Sequence, residues 1–147
     1  ENASRGLADL ASRALALAGS APLLEGVDRS RVYAWGEGLG GALALLVTAH
    51  AEMGVRRCAV CNPFPLDAEV PVMGCSLLGA AHDITADVLI GTGLRDELAP
   101  SEDCARLAHM SAGSTELVVY PEHGHERINQ FEDRVLTFFV QDARERS

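Results

Sequence analysis

The chain has 147 residues, a formal net charge of −9 and 48% hydrophobic residues. This length and apolar fraction suffice for a single domain over 1–147 and exclude whole-chain disorder. All 12 basic residues are arginines, against 21 acidic residues, which argues against nucleic acid or anionic membrane as the main partner. No apolar run reaches the roughly 20 residues needed to span a bilayer, and no signal peptide is visible, so we expect a cytoplasmic protein.

Two details of the composition bear on the origin of the chain. It begins with Glu1 rather than methionine, which favours a processed or truncated N-terminus. Arginine without lysine, beside abundant alanine, indicates a GC-rich bacterial genome.

Helices and strands alternate along the chain. In chain order the pattern predicts a helix over 4–18, a strand over 31–35, a glycine turn over 36–41, a helix over 42–53, a strand over 57–61, an irregular segment over 62–85, a strand over 87–92, a helix over 101–110, a strand over 116–120 and a helix over 126–142. Strands separated by helices predict a three-layer α/β sandwich with a mostly parallel sheet of about four strands. Trp35, at the end of the first strand, is expected in the core.

The four cysteines include a CxxC formed by Cys58 and Cys61. This spacing invites a zinc or redox interpretation, but no second CxxC follows. On a strand, positions i and i+3 face opposite sides of the sheet. We therefore predict small buried hydrophobic side chains, with no metal site and no cofactor.

Functional groups in open parallel sheets gather at the carboxyl ends of the strands. The first strand is followed by Gly36-Glu37-Gly38-Leu39-Gly40-Gly41. These glycines match the GxGxxG of a dinucleotide loop, but the acidic residue expected about 20 positions later is missing. The competing interpretation is a nucleophile elbow, in which small residues permit a sharp strand-to-helix turn.

The later strand ends decide between these interpretations. Asp96 follows the third strand and His125 follows the fourth. Nucleophile, acid and histidine in this order are typical of hydrolases, where the carboxylate orients the histidine that acts as the base.

These motifs resemble those of α/β-hydrolases and, more narrowly, are similar to the acetyl xylan esterase and cephalosporin C deacetylase family. The quoted segments are the approach to the elbow over 27–32, Asn62-Pro63-Phe64, Gly93-Leu94-Arg95-Asp96 with Pro100, and Gly124-His125-Glu126. The resemblance implies the C-terminal half of an α/β-hydrolase fold. It also implies that Asp96 is the triad acid, that His125 is the base and that the Leu39 N–H is one oxyanion donor.

The departures from the family concern the nucleophile and the first half of the sheet. Gly38 stands where the family has serine, and the strand whose loop supplies the second oxyanion donor is absent. The neighbouring Glu37 is expected to point elsewhere on the turn. Loss of a triad member leaves only about 10³–10⁴-fold catalysis over water. We therefore predict a relict site that is inactive in this chain alone.

The missing strands also predict an exposed apolar edge at 31–35, because the elbow strand is central in the complete family sheet. We expect a second copy, or a polypeptide supplying the N-terminal strands, to cover it. Two alternatives remain open. One is a carboxylic ester hydrolase seen as a fragment or Ser-to-Gly variant, with a small acyl ester as ligand. The other is a dinucleotide- or phosphate-binding module that uses the glycine turn at a helix N-terminus.

Overall fold

A computed structural model describes residues 2–145, with side chains from residue 5 onward; Glu1 lies outside this range. Its helices are α1 (Asn2–Ser20), α2 (Leu39–Ala49), α3 (Ser101–Met110) and α4 (Asn129–Glu145). Its strands are β1 (Val32–Glu37), β2 (Val55–Cys61), β3 (Glu69–Val70), β4 (Cys75–Ser76), β5 (Asp87–Gly93) and β6 (Thr115–Tyr120). None of the helices within 2–145 has the length together with the hydropathy that crossing a bilayer demands.

The main sheet is parallel and has the strand order β1-β2-β5-β6. Its two central strands, β2 and β5, are apolar along most of their length because helices cover both faces. The larger core joins the sheet to α1, α2 and α3, and a second core joins it to α4. The predicted three-layer α/β architecture with four parallel strands is confirmed.

The two cysteines of the CxxC lie on opposite faces of β2, as predicted. Cys58 belongs to the larger core and Cys61 to the α4 core, and both are almost fully buried. Burial raises the pKa of each thiol to about 12. The side chains therefore act as small hydrophobic groups of the two cores.

Several predicted boundaries are wrong around the glycine turn and the last loop. Gly36 and Glu37 remain in β1, and α2 begins at Leu39 because Gly38 alone makes the turn. The same helix ends at Ala49 and is followed by a separate 3₁₀ turn over Ala51–Met53. The last helix begins at Asn129 rather than at residue 126, because the preceding residues form the loop that carries His125.

Two further expectations fail for reasons of tertiary structure. The segment 62–85 contains a short antiparallel hairpin, in which Glu69 pairs with Ser76 and Val70 with Cys75. Trp35 is not in the core: 46% of its surface is exposed, since β1 is an edge strand.

A buried ion pair connects the end of α4 to β1 and β2. Asp142 is 3% exposed, and its Oδ2 accepts hydrogen bonds from the Tyr33 hydroxyl (2.8 Å) and Arg56 Nε (3.1 Å). Its Oδ1 accepts a bond from the second side of the same guanidinium at 3.0 Å. This bidentate contact with Arg56 lowers the pKa of Asp142 to about 2.

We expect Asp142→Asn to lower the free energy of unfolding by about 3 kcal/mol at neutral pH, because it leaves the Arg56 charge without its carboxylate. Since the folded-state pKa lies below the ordinary value of 3.8, the ion pair contributes fully above roughly pH 4 and is lost towards pH 2. The variant should therefore show a weaker loss of stability over that range. Urea denaturation at several pH values measures both effects.

The control is Asp133→Asn, which changes an exposed carboxylate on the same helix. Equal losses of stability in the two variants would contradict the role assigned to Asp142.

Candidate functional site

The chain turns from β1 into α2 at a single residue, Gly38, whose φ is 54° and ψ −124°. Glycine adopts a positive φ at little cost. The turn is also tight, because a Cβ at Gly36 would lie 2.1 Å from the Gly40 carbonyl oxygen. Gly40 itself faces open space. The turn thus has the compact backbone that a nucleophile elbow requires. Gly36 is needed because a side chain there would clash with the next turn, and Gly38 is needed because its φ is positive.

The Asp96 carboxylate is held by the loop that follows β5. Its side chain is fully buried, and its Oδ1 accepts hydrogen bonds from the Leu98 N–H (2.8 Å) and the Ala99 N–H (2.9 Å). Its Oδ2 lies 2.7 Å from His125 Nδ1. The carboxylate is an acceptor, so Nδ1 carries the proton and donates it. In the neutral imidazole, the Nε2 atom of His125 is then an acceptor.

The elbow lies against this free nitrogen. A Cβ at Gly38 would lie 3.1 Å from His125 Nε2 and 3.5 Å from its Cε1. A side chain at position 38 would therefore begin beside the imidazole, where a serine hydroxyl is within reach of a base. The structure brings Gly38, Asp96 and His125 together in the arrangement that their order along the chain predicts.

An open pocket of about 280 Å³ lies over these groups. Its lining residues are Glu37, Gly38, Leu39, Cys61, Asn62, His125, Glu126 and Arg127. Leu39 is the first residue of α2, so its N–H has no acceptor within the helix. Glu37 also lines the pocket, but within the described residues it makes no hydrogen bond with His125. The assignment of Leu39 as an oxyanion donor stays a prediction.

The loop that carries His125 is held by its own side chains. Glu126 accepts hydrogen bonds from the Gly124 N–H (3.2 Å) and from His123 Nδ1 (3.0 Å). These two bonds, the backbone one first, lower the pKa of Glu126. Asn62 N–H, on the neighbouring strand end, donates to the Gly91 carbonyl oxygen (2.9 Å).

Asn62 has a structural role at this site that the sequence motifs do not indicate. It is 2% exposed, and its side chain accepts a hydrogen bond from the Gly93 N–H (2.8 Å) while donating one to the Gly124 carbonyl oxygen (3.0 Å). The amide thus connects the end of β5, which leads into the loop of Asp96, to the loop of His125. The backbone of Asn62 has a φ of 45°, in the left-handed region that asparagine adopts more readily than most residues. This conformation is visible only in the structure.

No arrangement suited to a metal ion occurs among the described residues, where no three His, Cys, Asp or Glu side chains form a suitable group. The absence of a cofactor remains a prediction.

Comparison with known proteins shows which folds this chain is similar to. No family model and no curated protein matches the sequence. Solved structures do match: acetyl xylan esterase 1 from Thermoanaerobacterium sp. has a TM-score of 0.76 at 23% identity, over 88% of this chain and 51% of that one. The chain has an α/β-hydrolase fold.

Two further α/β-hydrolases agree with this assignment. An acetyl xylan esterase from Paenibacillus sp. R4 has a TM-score of 0.77 at 20% identity, over 88% of this chain and 51% of that one. Est1E from Butyrivibrio proteoclasticus has a TM-score of 0.70 at 18% identity, over 86% of this chain and 66% of that one. The chain thus spans about half the length of the two acetyl xylan esterases, which agrees with the predicted C-terminal half of the fold.

We expect Asn62→Ala to lower the free energy of unfolding by about 1–3 kcal/mol, because it leaves the buried Gly93 N–H without its acceptor. The Gly124 carbonyl oxygen keeps the Glu126 N–H as a donor (3.0 Å), and the Arg95 N–H still donates to the His123 carbonyl oxygen (2.9 Å). The loss of the amide should nevertheless loosen the loop of His125 and weaken the bond between Asp96 and His125. Urea denaturation measures the first effect, and the low-field proton resonance of His125 Nδ1–H measures the second.

The matched variant is Asn62→Asp, which keeps the acceptor for Gly93 but replaces the donor to Gly124 by a carboxylate oxygen. Because an ionised carboxylate repels the Gly124 carbonyl oxygen, this variant should change the His125 resonance at neutral pH even though the Gly93 N–H keeps its acceptor. An unchanged resonance in Asn62→Ala would show that the amide does not hold the two loops together.

Proposed function

We propose that this α/β-hydrolase-like domain does not catalyse serine acyl transfer alone and acts through binding or assembly with a further polypeptide. One observation carries the proposal. The backbone position whose Cβ would lie 3.1 Å from His125 Nε2 is a glycine. The base and its orienting acid are therefore present without a group that they activate.

The magnitudes support a non-catalytic role. Triads without a working member retain about 10³–10⁴-fold catalysis over water through binding and the oxyanion hole. Enzymes typically reach about 10⁶–10¹⁷-fold. The N–H of Leu39 is the oxyanion donor suggested for this site, so residual catalysis would fall within the lower range.

Binding and assembly each have a structural basis. The pocket over His125 keeps both polar and apolar lining groups and suits a small acyl ester as ligand. The open side of β1 presents an unpaired strand edge with Trp35 exposed beside it. Such edges pair with strands of other chains. A second copy, or a polypeptide that supplies further strands, fits this requirement.

A second candidate function is carboxylic ester hydrolysis, of the kind implied by acetyl xylan esterase-like deacetylases. It is favoured by the intact contact between Asp96 and His125 and by the space that Gly38 leaves beside Nε2. Under this alternative the chain is a fragment or a Ser-to-Gly variant, and a serine at position 38 would complete the site.

Hydrolysis of 4-nitrophenyl acetate by the parent chain and by Gly38→Ser tests the two functions. The proposal expects the parent chain and His125→Ala to hydrolyse the ester at the same rate, because no nucleophile depends on the base. It also expects the hydrolysis rate of Gly38→Ser to exceed that of Gly38→Ala by less than tenfold. The alanine variant is the matched control, since both introduce a Cβ at the same positive φ.

The alternative expects a gain of at least 100-fold in Gly38→Ser, together with an acyl-enzyme visible by mass spectrometry. A parent chain whose turnover is abolished by His125→Ala would contradict the proposal directly.

A further inference from the structure

Gly93, the last residue of β5, is fixed through both of its backbone hydrogen-bonding groups. Its N–H donates to Asn62 Oδ1 (2.8 Å), and its carbonyl oxygen accepts from the Asp96 N–H (3.1 Å). It also pairs with Tyr120 of β6 in the sheet. A displacement of Gly93 would therefore disturb both the sheet and the start of the loop that carries Asp96.

The loop that carries His125 packs directly against the Cα of Gly93. A Cβ at this position would lie 2.4 Å from the His123 carbonyl oxygen, 2.7 Å from the carbonyl carbon of the same residue and 2.8 Å from the Gly124 carbonyl oxygen. All three are backbone atoms, so no rotation of a side chain relieves these contacts. Glycine is the residue that permits this close approach of backbone to backbone.

The backbone conformation of Gly93 does not explain the need for glycine. Gly93 is not among the glycines with a positive φ. An alanine would thus adopt the same backbone angles without strain. The requirement at this position is the contact with the loop of His125 alone.

We propose that Gly93 is a positioning residue for His125, because the absence of a side chain there lets the loop of His125 lie against the end of β5. The Arg95 N–H donates to the His123 carbonyl oxygen (2.9 Å) and holds the loop in this position. The Nδ1 atom of His125 then lies 2.7 Å from Asp96 Oδ2. The inference goes beyond the proposed function, since it concerns how the imidazole is held whether or not an ester is hydrolysed.

An alanine at position 93 would move the loop rather than the strand. Ordinary contact with a Cβ begins at 3.4 Å, so the His123 carbonyl oxygen would have to retreat to that distance from 2.4 Å. Such a movement stretches the bond from the Arg95 N–H beyond hydrogen-bonding distance. The Asp96 carboxylate would stay in place, because two N–H groups of its own loop hold it. The imidazole of His125 would therefore move away from a fixed carboxylate.

NMR spectroscopy of the full chain tests this inference through the low-field resonance of His125 Nδ1–H and the hydrogen exchange of the Arg95 amide. We expect Gly93→Ala to lose the resonance and to speed the exchange of this amide by about tenfold or more, because both protons lose their acceptors. Gly124→Ala is the first control. A Cβ there would meet its nearest atom, the Arg95 carbonyl oxygen, at 3.4 Å, so this variant should keep the resonance.

The second control, Gly91→Ala, separates positioning from general crowding of the core. Gly91 lies on the same strand, but a Cβ there would lie 2.6 Å from the Phe131 ring of α4 and not against the loop. Both β5 variants should unfold at lower urea concentration than the parent, whereas only Gly93→Ala should change the His125 resonance. Equal changes of the resonance in the two variants, or an unchanged resonance in folded Gly93→Ala, would overturn the inference.

The parent chain supplies a measurement that does not depend on the folding of any variant. The close approach predicts a nuclear Overhauser effect between the Hα protons of Gly93 and the Gly124 N–H, because this nitrogen is bonded to the His123 carbonyl carbon that lies against Gly93. Its absence in the folded parent would also contradict the role of Gly93. None of these outcomes bears on the missing nucleophile at position 38, which the ester assay tests separately.

Discussion

The site depends on hydrogen bonds between the segments that follow β2, β5 and β6 at the carboxyl edge of the sheet. The Arg95 N–H donates to the His123 carbonyl oxygen (2.9 Å), which joins the loop of Asp96 to the loop of His125 directly. The buried amide of Asn62 adds an acceptor for the Gly93 N–H and a donor to the Gly124 carbonyl oxygen. The 2.7 Å contact between Asp96 and His125 is held within this set of bonds, because each residue belongs to one of the two joined loops.

The same edge of the sheet combines an elbow-like turn with a carboxylate–histidine contact, although the turn carries a glycine at position 38. The elbow keeps its positive φ at Gly38 and its close backbone approach at Gly36. The acid still orients the base by accepting from Nδ1. These features are also structural: the turn joins β1 to α2, and the Asp96 carboxylate accepts two backbone N–H groups of its own loop. These contacts stabilise the turn and the loop whether or not position 38 carries a nucleophile.

The edge strand β1 differs from the inner strands, because among the described strands only β2 pairs with it. One side of β1 is held by β2 and, through Tyr33, by the ion pair of Asp142 with Arg56. These contacts hold the strand in an extended form. Among the described strands, β1 has a neighbour on one side only. An unpaired strand edge can pair with a further strand, and this property of β1 supports the proposed assembly.

The sequence by itself determined the alternation of helices and strands, because the spacing of apolar residues reports which face each segment buries. It also determined which chemical groups follow which strands, and that position 38 has no nucleophile. The tertiary structure decided the role of Asn62, the exposure of Trp35 and the start of α2 at Leu39. Each of these depends on which segments become neighbours in space: an amide that joins two loops, and a strand with a neighbour on one side, have no counterpart in local periodicity.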